Sequence, residues 1–247
     1  MKIYLDKKYV SPCCIHAAGK IDYNNIWSDL YNYPIKKIPP INQSIDIITW
    51  NQKIPKNHYK NYKNLGLFES CCDRLGVNYT ILSDNTKIWT NRLKIPTTFN
   101  FLNTCKKDFI FAADSSDVFA FDIPKISIFD VLQCDAIFNA EIKFWPPEFY
   151  DLKHKEDSLV QRQFRYLNSG LWFAKTSFAR ELFKELNYLY EINFMPEFVK
   201  SDQVLFKYLY TKYFPKIKID SDCNIFLNSS HVFCSLKEKN NFQTKFV

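Results

Sequence analysis

The stretch Phe109-Ile110-Phe111-Ala112-Ala113-Asp114-Ser115-Ser116-Asp117 decides the fold. An apolar run with no polar interruption from Phe109 to Ala113 suits a strand covered on both faces, as in the middle of an α/β sheet. Asp114 and Asp117 then fall just past the carboxyl end of that strand, where open α/β sheets bind ligands. Two carboxylates three positions apart are costly to hold together unless a cation offsets their repulsion, and an all-oxygen pair suits manganese or magnesium. Asp and Ser also favour turns, so the segment alone fits a metal-binding loop or a plain turn.

On either side of this strand, apolar runs alternate with helical patterns. Ser44–Trp50 reads as a β-branched strand, and a helix across Tyr62–Leu75 is stopped by Gly76. A strand over Val77–Leu82 and a helix near Thr97–Cys105 lead into the central run. A helix near Ile126–Leu132, a strand at Ala136–Ala140 and the Trp/Pro-rich loop Phe144-Trp-Pro-Pro147 follow it. Leu171–Ala174 is the next strand. In the helix predicted from Ser177 to Glu191, Phe178, Leu182, Leu186 and Leu189 recur at three- and four-residue spacing, which gives one buried stripe. A helix near Asp202–Tyr213 and short strands at Lys216–Ile219 and Asn224–Leu227 complete the pattern. This strand-helix-strand rhythm predicts an α/β sheet with right-handed crossovers.

The chain has 247 residues, enough to bury a core without disulfide staples, and the expectation is one domain over 1–247. It contains only four glycines, Gly19, Gly66, Gly76 and Gly170, where average usage of about 7% would give roughly seventeen. A dinucleotide-binding GxGxxG, a Walker-type P-loop and a kinase glycine-rich loop need closely spaced glycines, so these classes are excluded. If phosphate is bound, something else must neutralise it. The net charge of +7 comes from lysines scattered singly or in pairs, which fits a solvated surface better than a nucleic-acid stripe.

Eight cysteines lack the CxxC spacing of zinc sites, and the reading is reduced core thiols. No stretch reaches the roughly 20 apolar residues of a membrane span, and Met1–Lys8 lacks the apolar core of a signal peptide. The expected protein is soluble and cytoplasmic, with no membrane span.

Beyond the DxxD segment, the candidate residues lie in short polar segments. In Tyr166-Leu-Asn-Ser-Gly170 the glycine permits close backbone approach, and Asn168 and Ser169 could grip hydroxyls; a tight turn is the alternative. Ser201-Asp202-Gln203 stands at a helix start, where a capping role is the simple alternative. Ile219-Asp-Ser-Asp-Cys-Asn-Ile-Phe-Leu-Asn228 is the last such segment.

The order and context of these segments resemble the glycosyltransferase domain of the procollagen lysyl hydroxylases and, more distantly, the glycogenin-type transferases. Phe111-Ala-Ala-Asp-Ser-Ser-Asp-Val118 resembles the family's metal-binding D-S-Y-D-V, and Phe138-Asn-Ala-Glu-Ile-Lys-Phe-Trp-Pro146 its F-S-A-E-x-x-C-W-P. Phe164–Gly170 is similar to R-F-L-N-S-G, Ser201–Gln203 to the acidic D-D-Q, and Ile219–Asn228 to L-D-H-x-C-x-I-F-Q-N. At the other end, Tyr9-Val-Ser-Pro-Cys-Cys-Ile-His-Ala-Ala-Gly-Lys20 and Leu30-Tyr-Asn-Tyr-Pro34 resemble Y-D-x-L-P-x-x-I-H-G-N-G and L-G-N-Y-x-P. The family carries an H-G-N-G-x-x-K segment near its C-terminus, so the order here resembles a circular permutation. Segment 1–40 then stands for the family's C-terminal motif region, and 41–228 for the core sheet and helices. Termini that lie on the surface and close together make such a rearrangement cheap. Ser116 stands where the family has an aromatic residue, Ala17 replaces a Gly, and Lys20 comes two residues early. The family's G-G-G-Q-K stretch has no glycine counterpart near Asn91–Thr98.

The resemblance implies a single GT-A-type, Rossmann-like α/β domain with a mixed, mostly parallel central sheet flanked by helices. It implies transfer of a sugar from a nucleotide sugar, expected to be a UDP-sugar, to a hydroxyl of a protein, glycan or small molecule, with Mn2+ or another divalent cation. The implied metal ligands are Asp114, Asp117 and His16, with His231 as a competing ligand. Thr49, Trp50, Ser115, Gly19 and Lys20 are implied on the nucleotide sugar, with Trp50 as a stacking surface or a core residue. Asp202, Asn168, Glu141 and Gln203 are implied at the reacting sugar, with Trp145 as an acceptor platform. The rivals are a metal-dependent nucleotidyltransferase using the same carboxylates and a non-enzymatic nucleic-acid-binding module stacking bases on its many aromatic residues.

Overall fold

The computed structural model of the chain describes residues 3–5, 8–17, 35–38, 44–51, 66–83, 89–195, 199 and 201–229. A hairpin of β1 (Ile3–Leu5) and β2 (Lys8–Val10) precedes β3 (Cys14–His16). Next come β4 (Ile45–Trp50), α1 (Leu67–Leu75), β5 (Thr80–Leu82), a 3-10 turn at Asn91–Leu93 and α2 (Lys94–Leu102). After these run β6 (Phe109–Asp114), β7 (Val118–Ala120), α3 (Ile128–Leu132), β8 (Ala136–Glu141) and α4 (Tyr150–Leu159). The last described elements are β9 (Tyr166–Lys175), α5 (Thr176–Glu191), α6 (Gln203–Tyr213), β10 (Ile217–Ile219) and β11 (Phe226–Asn228).

The central sheet has six strands in the order β10-β8-β9-β6-β4-β5. Pairs β10–β8, β6–β4 and β4–β5 are parallel, while β9 runs antiparallel to both β6 and β8. The fold is therefore α/β with a mixed, mostly parallel sheet flanked by helices. The reversed strand matters for the site, because β9 enters the sheet at the edge where β6 leaves it, with Ala113 opposite Leu171.

Ile110–Ala113 in β6 is buried, as an unbroken apolar run on a doubly covered strand requires, and Tyr166–Ala174 in β9 is buried beside it with the polar Asn168 and Ser169 included. Phe111 stacks edge-on to Phe173 and Phe68, and Trp172 packs against Phe138 and Phe183. Each such fully buried ring contributes about 1.5–3 kcal/mol of transfer free energy. On α5, Phe178, Leu182, Leu186 and Leu189 form the buried stripe read from their spacing. Gly76 ends α1 at φ 74°, a left-handed position that strains any side-chain-bearing residue.

Several boundaries differ from the sequence reading. The strand expected at Leu171–Ala174 begins at Tyr166, so Asn168–Gly170 lies inside β9 and forms no tight turn. The helix expected near Thr97 starts at Lys94, and the structure adds β1, β2, β3, β7 and α4, for which the sequence pattern gives no separate element. Of the helix expected over Tyr62–Leu75, Leu67–Leu75 is helical and 62–65 lies outside the described residues. Cys14, Cys71 and Cys72 are buried thiols that burial holds above the ordinary thiol range, in agreement with reduced core cysteines.

β3 sits at the centre of a second sheet, ordered β11-β3-β7. It pairs in parallel with β11, His16 opposite Asn228, and antiparallel with β7, His16 opposite Val118. An N-terminal strand is thereby enclosed beside the last described strand. Among the described residues, no helix is long and apolar enough to cross a membrane.

Candidate metal centre and substrate cleft

Backbone register brings the candidate ligands together. Asp114 closes β6 opposite Trp50, a two-residue turn leads to Asp117, and the chain returns as β7 against β3. The Ala17 N–H donates to the Asp117 carbonyl at 2.8 Å, which fixes the end of β3 at this turn. His16 Nε2 stands 3.6 Å from Asp117 Oδ1 and 3.8 Å from Asp114 Oδ2, and a ligand atom from each of the three side chains lies within 4.8 Å of the others.

Gly170 completes the geometry. A Cβ at this position would fall 2.6 Å from Asp114 Oδ2 and 3.0 Å from His16 Nε2, and nearer still to His16 Cε1. Such contacts are too short for any side chain, so the glycine leaves room beside the imidazole and the carboxylate. This is the close approach for which a glycine inside a strand is used.

The charges are held under tension. Burial raises the Asp114 pKa, Lys94 opposes that effect, and Asp117 adds to it. Burial acts to lower the His16 pKa, but the Asp117 and Asp114 carboxylates outweigh it and leave it raised. Lys94, 5% exposed, donates from Nζ to Asp114 Oδ1 at 2.5 Å and sits 5.1 Å from the Trp50 ring centroid. Burial opposes its charge, yet Asp114 first and then Asp202 hold its pKa above the usual lysine range. Sequence reasoning missed Lys94: a single lysine in Asn91–Thr98 carries no periodic or motif signal, and only α2 aims it at the end of β6.

A second cluster adjoins the first. Gln203 Nε2 donates to Glu141 Oε1 at 2.7 Å and to the Trp145 carbonyl at 3.0 Å, while its Oε1 accepts from the Ser169 N–H at 3.3 Å. Asn168 Nδ2 donates to Glu141 Oε2 at 3.2 Å, and the Gly170 N–H donates to Asn168 Oδ1 at 3.0 Å. Glu141 also pairs with buried Lys207 at 3.6 Å, and Lys207 pairs with buried Glu156 at 3.0 Å. Burial raises the Glu141 pKa, against the Lys207 charge. Burial likewise pushes Glu156 up to about 7, again against Lys207.

Asp202 is 2% exposed, and its Oδ2 has no hydrogen-bond partner among the described residues. Its side chain does not cap α6; Ser201 Oγ instead accepts from the Gln203 N–H at 3.2 Å. The capping alternative thus fails for Asp202, while Ser201 meets the first N–H of the helix. Next to it, a cleft of about 400 Å³ is lined by Asn91, Trp145, Glu148, Phe149 and Ser201. Trp145 is 57% exposed and offers an open aromatic surface there.

The residues expected on the nucleoside are arranged differently. The Thr49 hydroxyl is fully buried and donates to the Ala113 carbonyl at 2.8 Å, so it is spent inside the sheet. Trp50 is 5% exposed, donates from Nε1 to Thr98 Oγ1 at 2.9 Å and packs 6.4 Å from Trp172. It is a core tryptophan with no open stacking face. The Ser115 hydroxyl donates to Glu69 at 2.7 Å, and Asn51 Nδ2 donates to the same carboxylate at 2.9 Å. Glu69, a buried acid that burial keeps above the usual carboxylate pKa range, thus ties the ends of β4 and β6 to α1. Gly19, Lys20 and His231 lie outside the described residues.

No family model and no curated protein matches this chain. Among solved structures, it is similar to the crystal structure of a glycosyltransferase involved in the glycosylation of the major capsid of PBCV-1. The match has 14% identity and a TM-score of 0.44, and covers 72% of this chain and 81% of that one.

Proposed function

We propose that this protein is a metal-dependent glycosyltransferase, moving a sugar from a nucleotide sugar, expected to be a UDP-sugar, to an acceptor hydroxyl. The observation that carries this reading is the convergence of His16, Asp114 and Asp117 at the end of β6, beside the space that Gly170 leaves. Two carboxylates and an imidazole suit Mn2+. Ligands at right angles around one ion, each about 2.1–2.3 Å from it, are about 3 Å apart, so separations of 3.6 and 3.8 Å need only small adjustments.

When bound, the ion would neutralise charge building on the diphosphate leaving group. A glycine-poor chain could handle phosphates in this way. Lys94 adds a fixed positive charge that interacts with Asp114, Asp202 and Asp117. The Asp202 Oδ2 oxygen, which has no hydrogen-bond partner among the described residues, suits a hydroxyl, whose proton it can accept as the acceptor oxygen bonds to the sugar carbon and the bond to the diphosphate breaks. Gln203 and Asn168 hold Glu141 and the β9 backbone in place around that sugar. Trp145 offers the cleft a flat surface for the apolar side of a sugar ring. The sequence resemblance to the lysyl hydroxylase glycosyltransferase domain supports the same assignment, and adds Gly19 and Lys20 on the diphosphate.

Release of the free nucleotide from a panel of UDP-, GDP- and CMP-sugars, with and without Mn2+, tests the reading. Mn2+-dependent release from a UDP-sugar is expected. Release of pyrophosphate from nucleoside triphosphates instead would point to a nucleotidyltransferase.

A further inference from the structure

Asn139 is fully buried, and its Nδ2 lies 3.1 Å from His16 Nδ1, the ring nitrogen other than the one that faces the carboxylates. The pairing of β8 with β9 slips between Phe138 and Asn139, the kind of irregularity that re-aims a side chain. Its Oδ1 is buried with no hydrogen-bond partner among the described residues.

These facts bear on the His16 proton. A neutral imidazole carries one N–H, and a nitrogen that bears it cannot ligate a metal. With Asn139 Nδ2 donating to Nδ1, the proton sits on Nε2 and points at Asp117 and Asp114, an arrangement that suits the group without an ion. Ligation through Nε2 demands the opposite tautomer, with the proton on Nδ1 and an acceptor beside it. A half-turn of the amide supplies that acceptor, because its oxygen and nitrogen exchange places with little change of shape.

We propose that Asn139 is a positioning residue that sets the His16 tautomer. Its Oδ1 accepts the Nδ1 proton and leaves the Nε2 lone pair directed between Asp114 and Asp117. The acceptor left without a partner in one amide orientation is the one the other orientation uses. Only an amide or a hydroxyl could serve both tautomers, and an apolar residue of similar size could serve neither. The proposal rests on the metal reading above.

The test uses Zn2+ as a diamagnetic probe and long-range proton–nitrogen NMR of the full chain, with His16→Gln identifying the signals. Zn2+ should move the proton from Nε2 to Nδ1. Calorimetry should show Mn2+ and Zn2+ binding about 10–100-fold weaker in Asn139→Leu, the usual cost of losing the hydrogen-bond partner of a ligating histidine. Wild-type affinity in a folded Asn139→Leu overturns the proposal. So does an Nε2 that keeps its proton with Zn2+ bound, a result that decides the matter in wild type if the variant does not fold. Unchanged metal affinity in His16→Gln would instead remove His16 from the ligand set, and absence of Mn2+ binding in wild type would remove the metal reading itself, so the failures are distinguishable.

Discussion

Lys94 Nζ lies 2.5 Å from Asp114 Oδ1, with the lysine 5% exposed. The pair gives the carboxylates a resident counter-charge in the absence of an ion. Removing one member of a buried pair leaves an uncompensated charge, which costs about 3–5 kcal/mol in a fully buried setting. Because Asp114 is partly accessible, Lys94→Met should destabilise the metal-free protein by about 2–3 kcal/mol. Millimolar Mn2+ should restore part of that loss. Urea unfolding with and without Mn2+ measures both effects, and an undiminished stability in the variant would show that the ion pair does not hold the site together.

Gly170→Ala introduces a Cβ into the space between His16 and Asp114 without straining the backbone. Overpacking of this kind costs about 1–3 kcal/mol. Metal affinity should fall at least about tenfold, in line with disturbance of ligand geometry. Calorimetric titration with Mn2+ reads the effect; equal affinity in the two proteins would mean that the glycine serves the sheet alone.

Asp202→Asn should lower the transfer rate about 10²–10⁴-fold, the range lost with a general base. The dissociation constant of the nucleotide should change by less than about threefold, because Asp202 is not one of the three side chains grouped to hold the ion. Steady-state kinetics beside UDP binding separate these outcomes. Equal loss of both would move the residue to the nucleotide.

The buried Glu156 has its pKa pushed from the usual 4.5 to about 7 by burial. The folded state therefore holds a proton that the unfolded state has lost between those values. Stability from this group falls as pH rises from about 4.5 to about 7 and is level above. Glu156→Gln should flatten that slope, as judged by unfolding free energies measured across the range. A wild-type slope in the variant would assign the pH dependence to another group.

Much of the fold was legible because the unbroken apolar run Phe109–Ala113 marks a strand covered on both faces, and the stripe of Phe178, Leu182, Leu186 and Leu189 carries a helical period. The direction of β9 was not, since an apolar run reads the same parallel or antiparallel. Only that direction brings Gly170 beside Asp114. The spacing of Asp114 and Asp117 was informative because like charges rarely lie so close without a purpose. Lys94 and Asn139 gave no signal, as their roles depend on contacts with residues 20 and 123 positions away. Thr49 and Trp50 misled for the opposite reason: a strand-end position suggests a ligand, but buried partners, Ala113 and Thr98, satisfy both side chains.

Calorimetric titration of UDP into the protein, with and without Mn2+, in wild type, Asp114→Ala and Asp117→Ala, tests the central claim most directly. UDP should bind wild type only with Mn2+, and each substitution should abolish this binding; Asp117→Ala leaves the Lys94–Asp114 pair intact and keeps its stability, whereas Asp114→Ala strands the buried Lys94 charge and is compared at a temperature where it is still folded. UDP binding that is independent of Mn2+, or that survives either substitution unchanged, would contradict it.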